Sequence, residues 1–152
     1  MRKKTKLIFI YLGIIILFLF LNTFAVSFVK ISGTSMLPTL EDGDYVLVLK
    51  AQDVKGGDVV LVQLSNGQYI TKRVVGIEGD DILIKAHELY VNGILFDNLT
   101  NSLQGDYQEN IHVPSQSFYI LGDNRLESFD SRSIGYISKT MVKGVVSVQG
   151  LR

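Results

Sequence analysis

Three short stretches of the chain gather the side chains able to do covalent chemistry. The first is "SGTSMLPTL", Ser32 to Leu40, where Ser35 stands between Gly33 and Pro38. The glycine frees the backbone ahead of the serine and the proline stiffens it behind, which can hold a hydroxyl in a fixed, exposed pose. Most serines beside glycine and proline are ordinary turn residues, so this stretch alone assigns nothing. A serine hydroxyl also needs a base before it is nucleophilic. His87 joins two apolar runs and His112 lies in a polar stretch, and both read as surface residues. The two are far apart without ligand spacing, and the chain has no cysteine, so no metal, cofactor, disulfide or thiol nucleophile is expected.

The second stretch is "YITKRVVG", Tyr69 to Gly76. In a strand, Ile70, Lys72 and Val74 point one way and Thr71, Arg73 and Val75 the other. Lys72 therefore shares a face with two apolar residues. Either its stem snorkels to water from an edge strand, or its amine is desolvated. Desolvation penalises the charged form and draws the pKa down from ~10.4. A neutral amine near Ser35 can take the hydroxyl proton.

The third stretch is "GDNRLESFDSRSIG", Gly122 to Gly135. It reads either as a polar loop with exposed Asp–Arg pairs, each contributing about 0–1 kcal/mol, or as a scaffold. Asp123 with Arg125 and Asp130 with Arg132 are the pairs that spacing suggests. Two arginines, two aspartates, serines and an asparagine packed between glycines favour the scaffold.

Positioning these groups falls to a set of short strands. Alternation and β-branched residues predict strands at 44–50, 58–64, 68–78, 81–86, 88–93, 118–122 and 142–148. Asn66-Gly67 and Asn92-Gly93 between apolar runs predict hairpins. Residues 97–116 are polar and read as an exposed loop. No window after residue 30 carries a helical stripe, so the fold class expected is all-β: an antiparallel, coiled or barrel-like β domain.

Ahead of it, Leu7 to Val29 carries no charge. A helix of that length measures roughly 34 Å, against about 30 Å for a hydrocarbon core. A cleavable signal would have a shorter apolar region, about 15 residues at most. The expectation is a basic cytoplasmic N-terminus at 1–6, a transmembrane helix at 7–29 and an extracytoplasmic domain at 30–152. Arg2, Lys3, Lys4 and Lys6 before the span set that orientation. Those four are part of fifteen basic residues; the remaining eleven face fifteen acidic ones, a net of −4. That balance offers nothing to nucleic acid.

Together and in order, the anchor, "SGTSMLPTL" (32–40), "GDYVLV" (43–48), "KRVVGIEGD" (72–80) and "GDNRLESFDSR" (122–132) resemble the motifs of bacterial type I signal peptidases, in a short Gram-positive-like form. The resemblance covers essentially the whole chain. It implies a membrane-bound serine endopeptidase that removes signal peptides from exported preproteins. Ser35 is then the nucleophile and Lys72 the general base. Ser128 would orient the Lys72 amine, Asp123 would pair with Arg73, and Asp130 with Arg132. The oxyanion hole would use the Ser35 backbone N–H. A hydroxyl two positions earlier, present in some members, is replaced here by Gly33, which leaves Ser32 or Thr34, another backbone group or water as second donor. Leu126 and Glu78 are milder departures from the family's wording. The implied partners are signal peptides and the lipid bilayer of the cell membrane, near the secretion translocon. Met36, Leu37 and Leu40 beside Ser35 are expected to dip into the lipid surface. Three readings compete: a peptidase dedicated to pilin-like precursors, a self-cleaving serine/lysine protease, and a non-catalytic tethered peptide-binding β domain.

Overall fold

The computed structural model describes residues 2–24, 26–50, 52–85, 88–98 and 108–147. Helix α1 (Arg2–Phe24) is followed by strands β1 (Val26–Lys30), β2 (Tyr45–Leu49), β3 (Val59–Gln63), β4 (Tyr69–Ile77), β5 (Asp81–Lys85), β6 (Glu88–Val91), β7 (Ile94–Asn98), β8 (Gln108–His112) and β9 (Ser117–Leu121). A one-turn helix α2 (Ser131–Ile134), β10 (Ile137–Ser138) and β11 (Val142–Ser147) complete the described chain. The strands form a curled antiparallel sheet in the order β1-β2-β11-β3-β4-β9-β10 and a smaller one in the order β7-β6-β5-β8.

Both expected Asn-Gly hairpins form. β3 pairs with β4, and β6 with β7. In the second hairpin Asn92 and Gly93 both have positive φ, the backbone that a tight two-residue hairpin needs. β3 is buried on both faces because it lies between two apolar clusters. Val59 and Leu61 pack with Ile31, Met36, Leu40 and Val46, while Val60 and Val62 pack with Val74, Phe118 and Ile120. A third cluster joins the two sheets. Val75 of β4 and Tyr119 and Leu121 of β9 meet Ile82, Ile84, Leu89 and Ile111 of the smaller sheet.

Three expectations need correction. The apolar run does not continue as helix to Val29: α1 ends at Phe24, and Val26–Lys30 is a strand paired residue for residue with β2. Val26 and Val29 are β-branched, and ladder hydrogen bonds to β2 satisfy their backbone. Among the described residues no helix is long and apolar enough to cross a membrane.

Residues 97–116 are not all loop either. β8 lies within them and pairs with β5, and its Ile111 and the following Val113 are buried, so two apolar residues anchor a strand whose remainder is polar. Finally, Met36 and Leu40 do not face lipid; each is 1% exposed in the core.

Gly144 lies at the register shift between β11 and β3, where an added Cβ would stand 2.4 Å from the Leu49 carbonyl oxygen. Gly144→Ala should therefore cost about 1–3 kcal/mol of stability. The measurement is the urea unfolding midpoint, expected to fall at unchanged slope.

Candidate active site

The backbone that carries Ser35 is pinned at several points. The Ile31 N–H donates to the Asp44 carbonyl (2.7 Å), the Gly43 N–H to the Ile31 carbonyl (3.0 Å), and the Gly33 N–H to Asp42 Oδ1 (2.7 Å). Met36 and Leu40 plug the turn into the core on either side of Pro38. Ser35 is left half-buried, with its backbone carbonyl accepting the Asn124 N–H at 3.0 Å.

Lys72 lies on β4 opposite Val60 of β3, between Ile70 and Val74 on the same face. It does not snorkel: the residue is 4% exposed. Its Nζ donates to Ser35 Oγ at 2.6 Å and to the Thr71 carbonyl at 3.0 Å. Burial pushes the ammonium below the usual lysine range, and Asp130 and then Asp123 partly oppose this through their charge. The first and second stretches of the sequence thus meet, 37 residues apart, in one hydrogen bond.

Arg73, pointing the other way, donates from Nε and Nη2 to the two carboxylate oxygens of Asp123 (2.7 and 2.6 Å) and from Nη1 to the Gly57 carbonyl (2.8 Å). The Asp123 bond holds the guanidinium above its usual range. Thr39 bridges the pair, donating to Asp123 and accepting from Arg73. Asp130 is fully buried, caps α2 and accepts from Arg132 Nε and Nη2, both at 2.8 Å, and from the Gly122 N–H at 3.0 Å. Burial alone would raise its pKa; the Arg132 and Gly122 bonds, with Ser128 nearby, bring it below the usual carboxylate range.

Ser128 differs from expectation. The Lys72 bonds go to Ser35 and Thr71, and the buried Ser128 Oγ has no hydrogen-bond partner among the described residues. It packs instead against Gly122, where a Cβ would come within 2.2 Å of Ser128 Oγ and 2.6 Å of the Ser35 carbonyl oxygen. Only a residue without a side chain lets this loop lie so close to the serine.

Of the candidate oxyanion donors, Thr34 is committed elsewhere, its hydroxyl donating to Glu127 Oε2 at 2.8 Å. Ser32 is exposed and lines a cleft of about 390 Å³ with Ser35 and Lys72. The Ser35 N–H has no acceptor among the described protein groups. Val29, Ile31, Met36, Leu61 and Ile70 give the cleft apolar walls, and Phe129 and Tyr69 stand exposed at it. A buried amine on a serine hydroxyl beside such a cleft can generate an alkoxide against an extended peptide. His87 lies outside the described residues; His112 is at the surface, 2.7 Å from Asp81.

Several contributors escaped the sequence reading: Thr39, Gly122, Asn124, and Ser131, whose hydroxyl accepts the Ile120 N–H at 2.9 Å. The density of polar residues around glycine at 122–131 was the available signal, but it did not rank them.

A family model, signal peptidase, peptidase S26, matches residues 3–150. Signal peptidase I U of Bacillus subtilis (strain 168) is 32% identical, covering 97% of this chain and 90% of that protein. Signal peptidase IB of Staphylococcus aureus (strain Mu50 / ATCC 700699) is 34% identical over 93% of this chain and 85% of its own. A crystal structure of a signal peptidase I from Enterococcus faecalis V583 aligns with a TM-score of 0.54 at 24% identity, covering 63% of this chain and 98% of that one.

The site itself makes a prediction that needs no substrate. NMR titration of the lysine ε-methylenes should find Lys72 below the ~10.4 of free lysine, and lower still in Asp130→Asn, which removes the larger opposing charge. A midpoint alongside those of the surface lysines would mean that the amine is solvated.

Proposed function

The chain belongs to the S26 family of signal peptidases and is a signal peptidase I enzyme, and from that premise we propose that it cleaves signal peptides by a Ser35–Lys72 dyad while tethered to a membrane. The observation that carries the mechanism is the 2.6 Å contact between a buried lysine amine and a half-exposed serine hydroxyl.

In the reactive form Lys72 is neutral and accepts the Ser35 proton. The Ser35 oxygen attacks the scissile carbonyl carbon, and the carbonyl oxygen gains charge facing the Ser35 N–H. The tetrahedral adduct collapses as Lys72 returns the proton to the leaving amine, so the mature chain departs and the signal remains as an ester on Ser35. Water, deprotonated by the same amine, then hydrolyses the ester. No histidine is required, because desolvation supplies the basic amine at lower pH. Asp123–Arg73 and Asp130–Arg132 act behind this pair as structural supports.

Sheet edges suggest how the peptide lies. β4 pairs with β9 only from Arg73 onward, so its 69–72 half has an open edge toward the cleft, and β1 is an edge strand on the other side. An extended peptide can add to such edges through its backbone. The apolar walls suit small uncharged side chains before the cut, in keeping with an Ala-X-Ala signal ending.

The tether is α1. Its described large apolar residues from Leu7 to Phe20 are all at least 50% exposed, facing every side of the helix. A helix apolar all round, with no protein cover, is built for lipid. The basic residues in its first turns, Arg2, Lys3, Lys4 and Lys6, favour a cytoplasmic N-terminus with the β domain outside, near the translocon that delivers its substrates.

Detergent-solubilised wild type should cut a preprotein after Ala-X-Ala, with Ser35→Ala and Lys72→Ala folded but at least about 10³-fold slower. Product size and new N-terminus are the readout. Retained cutting by Ser35→Ala would place the nucleophile elsewhere. Across pH, kcat/KM should rise as Lys72 loses its proton, with an apparent pKa below ~10.4.

A further inference from the structure

Arg125 is a buried cation that this chemistry does not use. It is 8% exposed, yet it sits in the loop that touches Ser35. Its Nε donates to the Gly122 carbonyl at 2.7 Å and its Nη2 to Asp97 Oδ2 at 2.8 Å, while its own carbonyl accepts from Arg132 Nη2 at 2.7 Å. Nη1 is buried without a partner among the described residues. A buried guanidinium needs an anion, because an uncompensated charge away from water is costly. Within this cluster Asp123 is committed to Arg73 and Asp130 to Arg132, so Asp97 is the acid that remains for it. Burial pushes the Arg125 guanidinium down, and Asp97 is the first of the charges that oppose this.

Asp97 comes from outside the catalytic sheet. It lies on β7, the edge of the smaller sheet, opposite Leu89 of β6 and beside a register shift. Its ion pair thus ties that sheet to the 122–125 loop. The loop in turn gives the Asn124 N–H to the Ser35 carbonyl and presents Gly122 against Ser128.

We infer that Asp97 is a positioning residue for the Ser35–Lys72 centre: by fixing Arg125 it holds the Gly122 carbonyl, and through the loop it holds the backbone of the nucleophile. Its kinetic part rests on the proposed dyad. Without Asp97 the guanidinium either turns toward Asp123 and Asp130, loosening their own pairs, or leaves for water. Both shift the loop away from Ser35. The link is one of geometry, so substrate binding at the cleft walls is spared while turnover suffers.

The test uses the full chain in detergent with Asp97→Ala, Asp97→Asn and Asp97→Glu. Amide hydrogen exchange at Gly122 and Asn124 needs no substrate. In Asp97→Ala and Asp97→Asn these two amides should exchange at least about ten-fold faster, as expected for losing a charge-assisted hydrogen bond, while those of Val60 and Val62 in β3 stay protected. On a preprotein substrate the same variants should lose about ten-fold in kcat with KM within about two-fold, and Asp97→Glu should recover most of the loss. Unchanged exchange at Gly122 and Asn124 overturns the inference whatever the activity. So does a loss that appears in Val60 and Val62 equally, since that is global destabilisation. If wild type cleaves nothing while the exchange pattern is as stated, the proposed dyad fails and the positioning of the loop stands.

Discussion

The structure depends on keeping one amine dry. Lys72 reaches Ser35 from beside a core cluster, and the groups around it either exclude water or hold down the pull of nearby carboxylates on its charge. Val60 and Val62 of β3 wall the strand on which it lies, and Met36 and Leu40 seal the turn opposite. Asp130 and Asp123 sit close enough to act on the amine, but each is occupied by its own arginine. A bare carboxylate at either place would pull harder on the lysine's charge. Paired carboxylates moderate their pull, so desolvation prevails.

That constraint explains the crowding at Gly122. One residue gives its N–H to Asp130, its carbonyl to Arg125, and its missing side chain to the packing of Ser128 and the Ser35 carbonyl. The loop is a backbone wedge between two ion pairs, and side chains act mainly to hold that wedge. Arg73, Thr39 and Asp123 do the same on the other face of β4, so a single strand carries the Lys72 amine on one side and its bracing on the other.

Much of this was legible in the sequence because strands alternate. The two-residue period set Lys72 and Arg73 on opposite faces and put Lys72 with Ile70 and Val74, and the hairpins at Asn66-Gly67 and Asn92-Gly93 followed from turn chemistry. Period alone could not decide whether Lys72 snorkels, since that depends on what covers β4, and the cover comes from β3 and the Ser35 turn. β8 was missed because ladder hydrogen bonds, supplied by β5, do not register in side-chain polarity. β1 was read as helix because an unbroken apolar run fits a span as well as a strand, and pairing with β2 decides between them. Met36 and Leu40 looked like surface anchors because proximity in sequence to a membrane segment says nothing about which way a turn rolls.

A desolvated lysine also has a thermodynamic side. Its folded-state pKa lies below that of the unfolded chain, so the folded form binds fewer protons in the interval between the two. The fold is favoured above the unfolded value, and that contribution drains away as pH falls through the folded one. The stability is lost to a proton that the unfolded chain takes up first, before the buried amine of the fold accepts one. Softening at Lys72 therefore runs ahead of protonation of the folded amine and is complete once that amine is charged.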